Sequence, residues 1–484
     1  MQLLRAFERC LRPKNVAEQV RAVVLTQSWG ALDYAEMDDD GEIEPEKPMA
    51  AYEKANAAAE ELGKLVCGDE AVFAALLPDL VTGNAARLAP FGRGLALASV
   101  DHRRIWDQLT QAVAKTEEGK RNVSALVGFL SGLSTVDQQL CEALLEEALV
   151  HETLGAWFPV LQISVTISPA GADRLKRAVT LGKTQVWGFR SLGWVRPSDA
   201  VNGDDLRAIL LSLAKQENGY GVAIDILSMR FHPDGDQKKE YPPELIDAGR
   251  ALLSSPDFAD RDNMHGYRLN EIAKVCLRGV EGSVAAQLLC DRIKQGFTDY
   301  TFRTYNYEEF LQSIFRLQPR TALDVLFGGA PQADGADLDV DDFDSPSDRR
   351  KNPLDGVPVI EMLRWCDERP AERYPVISRA VSYHATPKDG GLEWTPLAME
   401  MLKRAPDPLA VLETFVKRFS PRSWSGSRAA IIESRLGLLD RLGELRNVSL
   451  SDYVTRIRPQ LVDDIARERK WENERDSARD ERFE

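Results

Sequence analysis

Apolar residues recur along the chain at intervals of three and four, the spacing that gathers them on one face of an α-helix. Leu206, Ile209, Leu210 and Leu213 form one such stripe, and Val222, Ile226 and Met229 form the next. Between them Glu217-Asn218-Gly219 reads as a helix-stopping turn, with Gly219 suited to a left-handed C-cap, so the two stripes predict an antiparallel helix pair. The same spacing predicts helices over Leu140–Leu149, Leu245–Leu253, Ile272–Leu277, Val284–Ile293 and Phe310–Phe315. Strand-like patterning is nearly absent. Its main instance is the β-branched run Val160–Ile167, which ends at Ser168-Pro169, where Ser168 is also placed to cap a following helix.

A single helix pair cannot bury its apolar face and must stack on neighbours, so repetition of the pair is the next thing to seek. Three segments share one design: Phe315-Arg-Leu-Gln-Pro319 leading to Ala322 and Leu323, Trp365 to Pro370 leading to Val376 and Ile377, and Leu402-Lys-Arg-Ala-Pro406 leading to Val411 and Leu412. In each, an apolar helix stops, a proline marks the joint and a second apolar helix begins. Proline suits that place because the first turn of a helix has no use for its missing N–H. The joint prolines lie 51 and 36 residues apart, averaging about 43, within the range of two-helix HEAT-type repeats. The expected fold is all-α, an irregular α-solenoid of HEAT-like helix pairs, with an irregular helical bundle as the alternative.

Two stretches interrupt the pattern. Glu36 to Pro48 is acidic and broken by proline, a loop between helices. Ala330 to Pro353 carries Asp334, Asp337, Asp339, Asp341, Asp342, Asp344 and Asp348 with little apolar content, a composition that stays solvated. The expected division is therefore a helical-repeat region over 1–330, an acidic flexible loop over 331–356, a second helical-repeat region over 357–462 and a charged helix or tail over 463–484. In that tail nine acidic and six basic residues occupy 22 positions, and only Ile465, Trp471 and Phe483 are large and apolar. It reads as a solvated helix without the seam of a coiled coil.

Composition narrows the class. With 44% hydrophobic and 28% charged residues, a chain of 484 residues can bury a substantial core, which excludes disordered, collagen-like and disulfide-scaffold classes. Its length suits about three domains or one repeat array. Acidic residues outnumber basic ones 76 to 61, and a net charge of -15 argues against a phosphate-binding surface. Nucleic acid is not the expected partner. Met1 to Leu11 reads as an amphipathic helix without a signal peptide's apolar run, and no stretch approaches the ~18 apolar residues of a membrane span. A cytoplasmic protein is expected. The six cysteines and five histidines are scattered without short metal-ligand spacing and read as structural residues of a reducing compartment.

Candidate chemistry is sparse. Gly182-Lys183-Thr184 matches the end of a P-loop, but the first glycine of that motif would fall at Arg177, so Gly182 reads as a helix C-cap. Glu36, Asp38, Asp40 and Gly41 follow part of an EF-hand pattern until Lys47 takes the place of its bidentate carboxylate. Asp337, Asp339, Asp341 and Asp348 follow it too, with Asp342 where the turn needs glycine. Ser425 in Ser423-Trp-Ser-Gly-Ser427 lacks a nucleophile elbow and reads as a turn capping the helix that begins near Arg428. No catalytic, cofactor-binding or metal-binding residue is nominated. The densest aromatic and basic cluster, Trp187, Phe189, Arg190, Trp194 and Arg196, reads either as core between repeats or as a surface that grips a partner.

Ala156-Trp-Phe-Pro-Val160, Ile224-Asp-Ile-Leu-Ser-Met-Arg230, the Leu326-Phe-Gly-Gly329 joint and Arg479-Asp-Glu-Arg-Phe-Glu484 resemble the carboxy-terminal helical arms of large bacterial anti-phage defence proteins, including STAND-type NTPases. The resemblance spans most of the chain and implies an arm that recognises a ligand or phage protein while a nucleotide-binding domain oligomerises and switches an effector. No complete Walker motif and no effector accompany it, so it carries no functional residue across and implies a sensing part whose NTPase is a separate chain. The function expected is that of a non-enzymatic recognition or scaffold protein, with an NTPase or a phage protein as partner. The alternative is an enzyme whose site is assembled from distant residues such as His151 or His232 with carboxylates, or a subunit activated by an NTPase.

Overall fold

The computed structural model describes residues 13–26, 47–194, 200–232, 240–259, 262–328, 343, 352–387, 390–421 and 424–480. These residues are all-α apart from one antiparallel hairpin of two-residue strands, β1 (His384–Ala385) and β2 (Glu393–Trp394), and an isolated bridge between Thr82 and Arg121. The helices start where the sequence offers acceptors to orphan backbone N–H groups. Asp69, Asp101, Asp137, Ser168, Asn202, Thr395, Asp407 and Ser427 each accept a first-turn N–H, and Pro169, Pro319, Pro370, Pro396 and Pro408 open their helices. Contacts divide the chain into two compact units, Met1–Arg230 and Phe231–Glu484. The boundary expected in 331–356 falls inside the second.

The first unit begins with α1 (Val16–Val23), α2 (Lys47–Cys67), α3 (Glu70–Leu80), α4 (Leu88–Ala98), α5 (His102–Lys115), α6 (Ser124–Val136) and α7 (Gln138–Val150). It continues with α8 (Phe158–Ile163), α9 (Pro169–Leu181), α10 (Ser191–Trp194), α11 (Gly203–Leu213) and α12 (Gly219–Phe231). Helices pack on their successors and on the next but one: α2 on α3 and α4, α5 on α6, α6 on α7 and α8, α7 on α8 and α9, and α9 on α11. Within this ladder α2, α4 and α6 touch backbone to backbone. Glycine makes that possible, because a methyl group on Gly128 would lie 2.8 Å from Ala89 Cα, and one on Gly94 would lie 3.1 Å from Gly63 Cα. Gly92 stands against Ala125 in the same way. Ordinary side chains hold helix axes roughly 8–10 Å apart, and their removal lets α4 sink between its neighbours. Phe91, Leu95, Leu126, Phe129, Leu130 and Leu133 then fill the other side of this layer completely.

The second unit holds α13 (Pro243–Leu253), α14 (His265–Cys276), α15 (Ser283–Thr298), α16 (Glu308–Leu317), α17 (Pro319–Phe327), α18 (Val359–Glu368) and α19 (Pro370–Ser378). After the hairpin come α20 (Pro396–Arg404), α21 (Pro408–Lys417), α22 (Arg428–Asp440) and α23 (Val448–Asp480). Gly266 and Gly356 press against the Asn306 and Gln312 carbonyls here, and large side chains do much of the rest. Phe302 stacks on Tyr307 with ring centres 4.6 Å apart, and Phe315, Phe327 and Phe297 continue the aromatic cluster. The joint of α17, α18 and α19 is ionic: Arg320 Nη2 donates to Glu368 Oε2 at 2.7 Å, Arg373 Nη1 to the same oxygen at 2.9 Å, and Trp365 Nε1 to Asp324 at 2.8 Å. These guanidinium groups hold the Glu368 carboxyl down at about 2. Arg373 also lies over the Trp365 ring at 4.0 Å, an arrangement Lys could not reproduce while reaching two carboxylates.

Several sequence expectations need correction. Val160 to Ile163 lie in α8, not in a strand, because Pro159 opens a helix whose inner face is buried. The left-handed residue of the Glu217-Asn218-Gly219 turn is Asn218, at φ 57°, while Gly219 opens α12 pressed against the Leu213 carbonyl. The third joint proline is Pro408 at the first turn of α21, with Asp407 as its cap, rather than Pro406. The cap of α22 is Ser427, not Ser425. In the acidic segment Phe343 is only 1% exposed and meets the Phe297, Phe315 and Phe327 rings at 5.8, 6.0 and 5.1 Å, and Asn352, Pro353 and Leu354 are buried. An apolar anchor thus sits in a stretch whose composition reads as solvated throughout. The tail helix α23 buries Ile465 against Ala429 and Ile432, and Glu472 accepts from Ser427 Oγ at 2.7 Å and from the Ala429 N–H at 3.2 Å. Met1 to Leu11 and the two acidic EF-hand-like stretches lie outside the described residues, apart from Phe343 in the second and Lys47 and Pro48 at the start of α2.

The glycine contacts predict a sharp contrast between two substitutions of the same type. Gly128→Ala, whose methyl group meets backbone that cannot move alone, should lower the stability of the first unit by about 3 kcal/mol or more. Gly437→Ala, in α22 with nothing within 4 Å, should raise stability by about 0.5–1 kcal/mol. Urea unfolding followed by circular dichroism measures both.

Candidate functional site

The aromatic and basic cluster is built by two short segments of the first unit. The 3-10 turn Leu154–Trp157 leads into α8, and the 3-10 turn Val186–Arg190 leads into α10. Their backbones are tied by Gln185 N–H donating to Ala156 C=O at 3.0 Å. Gly188 lies against Pro159 and Val160: a methyl group there would stand 3.3 Å from Val160 Cγ2, tighter than ordinary contact, so the segments approach closely. Trp157 and Trp187 meet edge to face with ring centres 5.6 Å apart. Gly193 packs on Ile226 and Met229 of α12, which fixes where Trp194 leaves the backbone.

The five nominated residues do different things. Trp187 is 50% exposed and Trp194 67%, both far beyond what a core role allows. Phe189 is fully buried, so it cannot meet a partner; it is the anchor that holds the turn down. Arg190 is half exposed, and its Nε stands 3.6 Å from Asp225 Oδ2 of α12, a carboxylate that is itself buried. Arg196 lies outside the described residues. Trp157 was missed by the sequence reading although Ala156-Trp-Phe stands in plain view, because its pairing with Trp187 is a contact between segments thirty residues apart. The described residues of the cluster thus form an aromatic edge: two exposed tryptophans on one short segment, with Phe189 buried and Arg190 half exposed between them in the sequence.

Gly182 and His151 have structural employment, while His232 is exposed at the end of α12. Gly182 is the left-handed C-cap of α9, at φ 64°, and Ser168 caps the start of the same helix by accepting the Gly171 N–H at 3.1 Å. Beneath it Arg174, nearly buried, donates to Gln162 Oε1 at 2.8 Å and pairs with Glu142, tying α7, α8 and α9 together. His151 Nδ1 accepts the Thr153 and Leu154 N–H groups at 3.1 and 3.2 Å, and so caps the turn that carries Trp157. His265, buried in the second unit, has Nδ1 3.1 Å from the Tyr307 hydroxyl. Burial pushes the Cys141, Cys276 and Cys366 thiols up to about 12, so at neutral pH they are protonated and poor nucleophiles. Among the described residues no three His, Cys, Asp or Glu side chains converge as a metal site would require, and no helix is long and apolar enough to cross a membrane.

No protein family, no curated protein and no solved structure matches the chain.

The split of roles within the cluster is measurable. Phe189→Ala should cost about 3–5 kcal/mol of stability, since it empties a fully enclosed site. Trp194→Ala should change stability by no more than about 0.5 kcal/mol, because most of that ring already faces solvent. Thermal unfolding of the two variants beside the parent protein reads the difference.

Proposed function

We propose that the chain is a non-enzymatic recognition or scaffold protein, an irregular α-solenoid of HEAT-like helix pairs that binds a protein partner. The solenoid reading draws support from packing of helices on their successors and on the next but one, which occurs in both units: in the second, α13 packs on α14 and α15, α18 on α19 and α20, and α19 and α20 on α21. Such ladders present continuous faces built from many helices, and those faces bind extended partners through modest contacts around a few anchors.

The observation that carries the function is the exposed edge of Trp187 and Trp194 held on the fully buried Phe189. Large aromatic side chains left in water on an ordered backbone lose little conformational freedom when covered, which is why tryptophan dominates interface energetics. A protein fits this edge better than nucleic acid does. The chain's charge of -15 repels phosphate, and Arg190, the cation described at the edge, already faces Asp225. The setting in anti-phage defence, with a separate NTPase or a phage protein as the partner and the cytoplasm as its place, rests on the sequence resemblance.

Affinity capture with the full chain, from phage-infected and uninfected cells, tests both parts. The parent protein should retain a partner that a Trp187→Ala, Trp194→Ala double variant recovers at least tenfold less, and infection should change what is retained. Equal recovery by the double variant would remove the aromatic edge as the binding surface. Turnover of any substrate by the purified chain would replace recognition with catalysis.

A further inference from the structure

The turn that carries Trp157 is held by an imidazole in one protonation state. His151 ends α7, and its Nδ1 accepts two backbone N–H groups at once, from Thr153 at 3.1 Å and from Leu154 at 3.2 Å. A ring nitrogen that accepts hydrogen bonds carries no proton, so in this arrangement the imidazole is neutral and its proton sits on Nε2. Protonation of Nδ1 would remove the acceptor and set a third N–H against the other two. The main chain adds one bond of its own, from the Gly155 N–H to the His151 carbonyl at 2.9 Å.

Two links join that turn to the aromatic edge: Ala156 C=O accepts the Gln185 N–H, and Trp157 meets Trp187 edge to face. Among the described residues His151 makes no ion pair that would hold a charged ring in place. The carboxylates of α7 are engaged with other cations, Glu142 with Arg174, Glu146 with Arg177, and Glu147 with Arg103, which also bonds Asp107. The Leu154–Trp157 turn and α8 hold no charged residue, and the Val186–Arg190 turn holds only Arg190, which faces Asp225. Glu152 and Lys183 are exposed.

We propose that His151 is the positioning residue of the aromatic edge and makes that edge sensitive to pH. The neutral ring seats Trp157 against Trp187, and uptake of one proton releases the turn and separates the pair. An imidazole free of such bonds takes up a proton at about pH 6.5, so seating is favoured above that value, and below it the released form gains by up to about tenfold per pH unit. As regulation of a binding surface this rests on the recognition reading, whereas the release itself does not.

Fluorine NMR of the full chain labelled with 5-fluorotryptophan provides the test, with resonances assigned by Trp157→Phe, Trp187→Phe and Trp194→Phe. Between pH 8 and pH 5 the Trp157 and Trp187 resonances should shift together in a one-proton transition, while that of Trp194, seated by Gly193 on α12, stays in place. His151→Asn, whose side-chain oxygen accepts as Nδ1 does but does not titrate, should hold both resonances at their pH 8 positions throughout. His151→Ala, which has no acceptor, should show the displaced positions already at pH 8. Static resonances in the parent protein, the same shift in His151→Asn, or an equal shift of all three tryptophans would overturn the proposal. The readout needs no partner, so failure to capture one leaves this result standing.

Discussion

The backbone of α4 rests directly on the backbones of α2 and α6, and the first unit is organised around that contact. Gly63 and Gly94 face one another across the first crossing, Gly92 and Gly128 meet Ala125 and Ala89 across the second, and none of these positions has room for a methyl group. Close packing of this kind exchanges side-chain burial for dispersion between main chains, and it tolerates almost no variation. The large residues are displaced to the opposite side, where Trp106 and Phe129 rings pack at 6.2 Å. A layer with small residues on one side and large ones on the other sets the helices closer on one side, and leaves that side with shallow relief.

The second unit packs its helices with aromatic and ionic side chains. Aromatic rings from α15, α16 and α17 close around Phe343, and an ionic joint made by Arg320, Asp324, Glu368 and Arg373 orients α17, α18 and α19. The exposed part of that joint contributes little by itself in water. Its buried member matters more: Arg373 is nearly enclosed, donates to the Trp365 carbonyl at 2.6 Å and stacks on the Trp365 ring, so its charge depends on these partners. These side chains add to close glycine approaches such as Gly356 on the Gln312 carbonyl.

Helical periodicity was legible because it is a local property, and the stripes at Leu206 to Leu213 and Phe310 to Phe315 are buried as their spacing requires. Prolines at helix starts were legible for the same reason at Pro319 and Pro370, and the third joint slipped by two residues because Pro406 and Pro408 both satisfy the local rule. What sequence patterning could not supply is contact between distant segments. Phe343 in a run of aspartates carries no periodic signal, yet three rings from distant helices enclose it. Gly63, Gly92, Gly94 and Gly128 look like ordinary weak points of helices until their partners are known. The aromatic cluster was legible as a cluster, but only the fold separates Phe189, which is covered, from Trp187 and Trp194, which are not.

In the first unit a layer of closely packed helices and the short segments that carry Trp187 and Trp194 are both built on close backbone approach. The most direct test of that account is amide hydrogen exchange on the intact chain, resolved to individual helices. Amides within Leu88–Ala98, enclosed on both sides by main chain, should be the slowest to exchange in the first unit, slower than those of Gly203–Leu213. Exchange in Leu88–Ala98 as fast as in Gly203–Leu213 would contradict it, since a helix wedged between two backbones cannot open before its surroundings do.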